Sequence, residues 1–139
     1  MAHAQYSIGL KILLKKRDEF LFLTDYGGTY YDLPGGRMDE NEKEVPIHTI
    51  LTREICEELG TDIRYTIGDP LFQFRRHFTA KNINVFLTVY AGTFLGGTIT
   101  LSSEHLAFDW INPAAPLDPK RFWCPEEYHA FSDYFQKIA

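Results

Sequence analysis

Alternating hydrophobic and polar residues predict that much of this chain forms short β-strands. Tyr6, Ile8, Leu10, Ile12 and Leu14 occupy every second position, which is the period of a strand. A polar turn at 16–19 separates them from an apolar run at 20–23, and the two segments are expected to form a hairpin. Further strands are predicted at 63–67, 72–78, 85–94 and 107–111, with a short extended segment at 30–33 before Pro34.

The pattern changes to a helical period between the third and fourth predicted strands. Ile47, Leu51, Ile55 and Leu59 recur every four residues and would form one buried stripe. The helix is expected to begin near Pro46, because proline is tolerated in the first turn, and to end at Gly60. A second helix is predicted from Pro125 onward, with an apolar face made of Tyr128, Phe131, Phe135 and Ile138.

These elements together predict an α/β (α+β) fold, in which a mixed β-sheet is sandwiched between helices. No repeat, low-complexity run or linker divides the sequence, so residues 1–139 are expected to form a single domain. The length is sufficient for one hydrophobic core.

Composition and charge narrow the classes of function. Hydrophobic residues make up 45% of the chain, which is typical of a globular protein. A formal net charge of −5 argues against stable nucleic-acid binding through phosphate neutralisation. Cys56 and Cys124 match no zinc or redox spacing and are interpreted as free thiols in a reducing compartment. With no secretory leader and no membrane-spanning apolar run, a cytoplasmic protein without membrane contacts is expected.

Candidate chemistry is concentrated in the first helix and the glycine-rich turn before it. Glu54, Glu57 and Glu58 are three and four residues apart, which places their carboxylates on one helical face. Like charges in this arrangement repel one another, and a bound divalent cation would remove the repulsion. Oxygen ligands suit Mg²⁺ or Mn²⁺. The turn contains Leu33-Pro34-Gly35-Gly36, whose glycines allow the backbone to approach charged groups closely.

The segment from Gly35 to Gly60 resembles the signature of the Nudix (MutT-like) hydrolase family. Gly36 and Glu42 have the family's spacing, and further matches are found at Arg53, Glu54, Ile55, Glu57, Glu58 and Gly60. Two departures are visible. Ten residues separate Glu42 from Arg53 where the family has seven, so the signature carries a three-residue insertion, and Thr61 replaces an aliphatic residue.

The resemblance implies a role for each matched residue. Glu54, Glu57 and Glu58 would ligate Mg²⁺, with Mn²⁺ as a possible substitute, and Gly36 belongs to the same metal site. Arg53 would form an internal ion pair that orients the loop and the helix. Glu42 is its expected partner, and the insertion leaves Glu40 and Glu44 as alternatives.

The activity implied by the family is cleavage of a pyrophosphate bond by water attack on phosphorus. The substrate would be a nucleoside diphosphate linked to another group, such as a nucleoside triphosphate or a dinucleoside polyphosphate. The proton acceptor is expected to be either a glutamate of the motif or Glu104 in a late loop. Glu104 is also a candidate ligand of the metal. The adjacent His105 is interpreted as structural, with contact to phosphate or base as the alternative.

Two cationic residues are candidates for substrate binding. Arg37 follows the glycines directly, and Arg75 lies on a predicted strand with its side chain on the face opposite to that of Arg76.

The expected catalytic residues are completed by Glu54 and Glu57, together with Arg53. A nucleotide-binding sensor without turnover remains the alternative function. The sequence leaves open which nucleotide is the substrate and whether the protein is a monomer or a homodimer.

Overall fold

The computed structural model describes residues 1–139 as one mixed sheet with a helix on each face. Its strands are β1 (Ser7–Lys16), β2 (Glu19–Asp25), β3 (Tyr31–Asp32), β4 (Gly35–Arg37), β5 (Ile63–Phe78), β6 (Ile83–Gly97) and β7 (His105–Ile111). The helices are α1 (Ile47–Leu59) and α2 (Pro125–Ile138). The predicted fold class is confirmed. Neither helix has the length and apolar character that crossing a bilayer requires.

The sheet is organised around β1, which is buried from Gly9 to Leu14. It runs parallel to β6 over nine residue pairs, from Ser7↔Val85 to Lys15↔Thr93. On its other side it pairs antiparallel with β4 and, at the hairpin end, with β2. β2 in turn pairs with β3 and β7, and β6 pairs with β5. This order brings the glycine turn of β4 beside the central strand.

Two hydrophobic clusters lie on opposite faces of the sheet, one under each helix. Leu51, Ile55 and Leu59 of α1 are fully buried against side chains of β1 and β2. Phe131 and Phe135 of α2 pack with the aromatic residues of the other face. The helical stripe predicted for α1 is therefore confirmed at three of its positions. Ile47 is the exception, because it is 43% exposed in the first turn of the helix.

The predicted strands at 63–67 and 72–78 are parts of a single strand, β5. The prediction of a break between them is wrong, because irregular pairing carries the strand through Pro70. The register of β5 on β6 shifts on both sides of this proline. A proline has no backbone N–H to donate, and a bulge on an edge strand accommodates that loss.

Candidate active site

The glycine turn brings the backbone against the acidic helix. Gly35 has φ +136°, and a Cβ there would collide with the carbonyl oxygen of Leu10. A Cβ on Gly36 would overlap the carboxylate of Glu54. The backbone of β4 therefore requires glycine at position 35 for its pairing with β1, and a glycine at position 36 leaves room for the carboxylate of Glu54. The turn predicted at these residues is a short strand rather than a loop.

The three glutamates of α1 line one cleft, as their spacing predicts. Their exposure differs greatly: the side chain of Glu58 is nearly buried, that of Glu54 is 13% exposed and that of Glu57 is 57% exposed. Glu58 accepts a hydrogen bond of 2.9 Å from the backbone N–H of Gly35. Burial raises the pKa of Glu58 to about 7 and also raises the pKa of Glu54. For both groups the first cause is removal from water, which disfavours the charged form.

Arg53 connects the loop before α1 to this acidic face. Its Nε and Nη2 donate to both carboxylate oxygens of Glu42 at 2.8–3.0 Å. Its Nη1 lies 3.1 Å from Glu57, and its Nη2 lies 3.1 Å from Glu54. The pair with Glu42 is present despite the three-residue insertion. Of the two alternatives, Glu40 is paired with Lys43 instead.

Glu42 is positioned by a 3-10 turn at Glu40–Glu42. Its carboxylate accepts a hydrogen bond from the backbone N–H of Asp39, at 2.9 Å, as well as those from Arg53. These hydrogen bonds, the one from Asp39 first, lower the pKa of Glu42. The ion pair of Arg53 and Glu42 therefore joins the loop before α1 to the helix and fixes the orientation of the Arg53 side chain.

The late loop meets the acidic helix from the opposite side. Ligand atoms of Glu58, Glu104 and His105 all lie within 4.8 Å of one another. His105 is only 8% exposed, and its Nε2 lies 3.4 Å from Oδ2 of Asp32. Burial alone would lower the pKa of His105, but the hydrogen bond to Asp32 and the charge of Glu58 raise it overall. Its Nδ1 is buried without a hydrogen-bond partner.

A chain of buried charges that the sequence did not indicate forms the floor of the cleft. Asp32 lies 3.1 Å from the ammonium of Lys11 and 3.3 Å from the guanidinium of Arg76. Arg76 donates its Nε to Glu127 at 3.0 Å. Burial would raise the pKa of Asp32, but the charges of Lys11 and Arg76 outweigh it and hold the pKa far below its usual range.

The comparison with known proteins was informative at the level of structure. No protein-family model and no curated protein matches the sequence. A MutT protein from Methanosarcina mazei is similar in structure, with 20% identity over 99% of each chain and a TM-score of 0.76. A MutT NUDIX hydrolase from Burkholderia pseudomallei has 20% identity over 98% of this chain and 100% of its own, with a TM-score of 0.72.

The chain has the Nudix fold. A dihydroneopterin triphosphate pyrophosphohydrolase from E. coli shares it as well, with 15% identity over 95% of this chain and 98% of that chain, and a TM-score of 0.68. Identities this low show the fold alone, so the chemistry has to be argued from the residues in the cleft.

The two cationic candidates occupy different places in this Nudix fold. Arg37 is exposed and lines the cleft beside the glycines. Arg75 does not line it: its side chain forms an ion pair with Glu126 at 2.9 Å on the outside of the sheet. Strand alternation turns Arg76 inward instead, as the opposite orientation of these neighbours predicts. The strand therefore supplies a cation to the cleft, but from Arg76 rather than from Arg75.

The far end of the cleft is apolar and aromatic. Trp123 stacks on Tyr30 with ring centroids 4.3 Å apart, and Phe78 contacts the indole edge-on at 5.7 Å. Side chains of β6 complete this wall, namely those of Ile83, Val85 and Leu87. The whole cleft has a volume of about 1160 Å³, larger than the roughly 300–1,000 Å³ usual for small-molecule sites. It therefore has room for a nucleotide-sized ligand.

Sequence reasoning missed Lys11, Asp32, Arg76 and Trp123 as cleft residues. A signal existed for the first of these, because Lys11 interrupts an otherwise apolar stretch of β1. A charge at a buried strand position needs a partner, and Asp32 is that partner. For Trp123, no local pattern separates a cleft-lining aromatic residue from a core one.

Proposed function

We propose that this protein is a divalent-metal-dependent hydrolase that cleaves a pyrophosphate bond of a nucleotide. The observation that carries the proposal is the convergence of Glu54, Glu57 and Glu58 on one cleft, with Arg53 and Glu42 fixing the geometry of the helix that bears them. The similar structures of named Nudix hydrolases support it. Mg²⁺ is the cation we expect, with Mn²⁺ as a substitute.

The residues present fit a hard divalent cation. Three carboxylates of α1 and that of Glu104 line the cleft, and the close approach of Gly36 to Glu54 leaves its backbone beside them. Such a donor set consists of oxygen atoms, as Mg²⁺ prefers. When bound, the cation would supply Lewis acidity at a phosphoryl oxygen and a lowered pKa for a bound water.

The chain's own groups would orient the substrate and accept the proton of the attacking water. Glu57 is the most exposed of the helix carboxylates, and its contact with Arg53 holds it toward the cleft. Glu104 faces it from the late loop. These two are the candidate general bases, because a base must reach the water from the open side of the site. Arg37 would bind a phosphate oxygen at the cleft mouth.

The aromatic end of the cleft is where we place the nucleoside. Trp123 lines the cleft and is held by stacking on Tyr30, so its indole offers an aromatic contact that suits a base, and the side chains of β6 would exclude water from it. Cys56 and Cys124 are free, which is consistent with a reducing compartment, and we extend the proposal to the cytoplasm.

The test is hydrolysis of a nucleotide panel with Mg²⁺ or Mn²⁺, carried out in ¹⁸O-labelled water with products identified by mass. The panel contains nucleoside triphosphates, dinucleoside polyphosphates, nucleotide sugars and ADP-ribose. Water attack on phosphorus predicts one ¹⁸O atom in a phosphate of the product. No hydrolysis of any member, combined with measurable binding of one, would favour a sensor without turnover.

Glu57→Gln provides the residue-level test. We expect turnover to fall by roughly 10²–10⁴-fold, because the substitution removes a metal ligand or base of nearly unchanged shape. The circular dichroism spectrum should stay that of the wild type, since Glu57 is largely exposed. Glu44→Gln is the matched control, because Glu44 is an exposed loop residue outside the cleft. Equal activity of the two variants would contradict the assignment.

A further inference from the structure

His105, whose Nδ1 is buried without a hydrogen-bond partner, lies beside Glu58 of the acidic helix. We propose that His105 is itself a ligand of the cation through Nδ1, together with Glu58 and Glu104. This nitrogen would shift the preference of the site from Mg²⁺ toward Mn²⁺ and other transition metals. The inference deepens the proposed function, on which it rests for the presence of a cation.

The dimensions of the cluster match one ion. The ligand atoms of Glu58, Glu104 and His105 lie within 4.8 Å of one another. Opposite ligands of an octahedral ion with bonds of about 2.0–2.2 Å are roughly 4.0–4.4 Å apart. Three ligands of one such ion include at most one opposite pair, and neighbouring ligand atoms are about 3 Å apart, so side-chain shifts of about 1 Å would bring all three atoms onto a single ion.

The second nitrogen of His105 is already held in the way that metal-bound histidines are. Nε2 lies 3.4 Å from Oδ2 of Asp32, whose other oxygen is 3.1 Å from Lys11. A proton on Nε2, donated to Asp32, leaves the lone pair on Nδ1. Carboxylate, imidazole and metal in this order are the usual arrangement that fixes the tautomer and strengthens the ligand.

The burial of His105 supports the same conclusion. The residue is 8% exposed, yet Nδ1 is buried and has no hydrogen-bond partner in the protein. Buried polar atoms are nearly always satisfied, and an exception calls for an unseen partner. The neighbouring carboxylates of Glu58 and Glu104 make a cation the appropriate one.

The nitrogen changes which cation is favoured. Carboxylates and water suit Mg²⁺ and Mn²⁺ alike, whereas an imidazole nitrogen suits transition metals. A site with only the glutamates of α1 would have no reason to discriminate against Mg²⁺. Inclusion of His105 should therefore raise the affinity of the site for Mn²⁺ relative to its affinity for Mg²⁺, and Mg²⁺ can still be bound by the carboxylates.

The direct test is pulsed electron paramagnetic resonance of the full-length protein with Mn²⁺ alone. A coordinated imidazole predicts a ¹⁴N coupling to the metal, which should convert to a ¹⁵N coupling when histidine is isotopically labelled. The coupling should be lost in His105→Gln. It should persist in a variant that keeps His105 as its only histidine and has glutamine at His3, His48, His77 and His129. This variant leaves the buried residue intact, so the test does not depend on the folding of His105→Gln.

Metal affinity measured by calorimetry gives a second readout. His105→Gln should weaken Mn²⁺ binding by at least about tenfold and Mg²⁺ binding by less than about threefold. His129→Gln is the matched control, because His129 is exposed on α2, and both affinities should stay unchanged. Absence of nitrogen coupling in the wild type, or coupling that survives in His105→Gln, would overturn the inference.

The outcomes separate this inference from the proposed function. Neither measurement needs a nucleotide. Hydrolysis without nitrogen coupling would refute the histidine ligand and leave the hydrolase standing. Nitrogen coupling without hydrolysis of any panel member would support the histidine ligand and refute the hydrolase.

Discussion

The buried ion pair between Arg76 and Glu127 offers a quantitative test of how the cleft is held together. The side chain of Glu127 is 2% exposed and that of Arg76 is 10% exposed. Arg76→Met would leave the buried carboxyl of Glu127 without its partner and would remove one of the two cations beside Asp32. Breaking a buried pair from one side costs about 3–5 kcal/mol. For a chain of this length, that corresponds to a fall in melting temperature of roughly 10–20 °C.

The pH dependence of the unfolding free energy should show that Glu127 causes the lower stability of Arg76→Met. Burial already raises the pKa of Glu127, even with Arg76 beside it. Without the arginine, the carboxyl should fold in its neutral form. A group whose pKa is raised by folding contributes stability below its unfolded pKa, and that contribution is lost as the pH rises through the folded value. Arg76→Met should therefore be much closer to wild type near pH 4 than near pH 7.

The assay is thermal and urea unfolding followed by circular dichroism, without added metal. Arg76→Met combined with Glu127→Leu removes both charges and should recover most of the loss. Arg75→Met is the control on the neighbouring position, where the pair with Glu126 is half exposed and contributes little. A loss below about 1 kcal/mol for Arg76→Met, or no recovery in the double variant, would refute the reasoning.

Two further predictions follow from the same region. Gly36→Ala should keep the fold but weaken metal binding measured by calorimetry, because its Cβ displaces the flexible carboxylate of Glu54. Gly35→Ala should instead lower the melting temperature, because its Cβ meets the backbone of Leu10 at a positive φ. In metal-free protein, the neutral form of Glu58 favours folding, so the stability it contributes is present below about pH 4.5 and is lost as the pH rises through about 7. Glu58→Gln should flatten the unfolding free energy over that range, and an unchanged slope would contradict the burial of this carboxyl.

The sequence predicted the parts of the fold that local patterns control. The spacing of Leu51, Ile55 and Leu59 predicts both the helix and its buried face, because a helical period depends only on neighbouring turns. Ile47 has the same spacing but lies in the first turn, where the helix end leaves the core. The sequence predicts two strands in place of β5, because the alternation at 63–67 stops before a separate strand-like segment at 72–78. The bulge of β5 depends on β6, which lies elsewhere in the sequence.

The buried charges of the cleft could not be predicted in this way. Lys11, Asp32, Arg76 and Glu127 come from β1, β3, β5 and α2, and no fixed spacing relates them. Asp32, Arg76 and Glu127 each resemble an ordinary surface residue in their own segments, and Lys11 stands out as a charge in an apolar strand without indicating its partners. Their association depends on the strand order, which places β1 between the glycine turn and β6. Residues brought together by topology alone are therefore the ones that sequence reasoning leaves out.

The contact between Arg53 and Glu42 depends on two separate elements of local structure. The position of Arg53 depends on α1, and that of Glu42 depends on a 3-10 turn, so the pair forms although ten residues separate the two. After Glu42, the N–H of Val45 donates to the carbonyl oxygen of Glu42 at 3.0 Å, and the partly buried side chain of Val45 packs against the hydrophobic cluster that contains Leu51 and Ile55. The contact between the two charges is thus fixed by the turn and the helix that carry Glu42 and Arg53, each of which is held by its own local hydrogen bonds and packing.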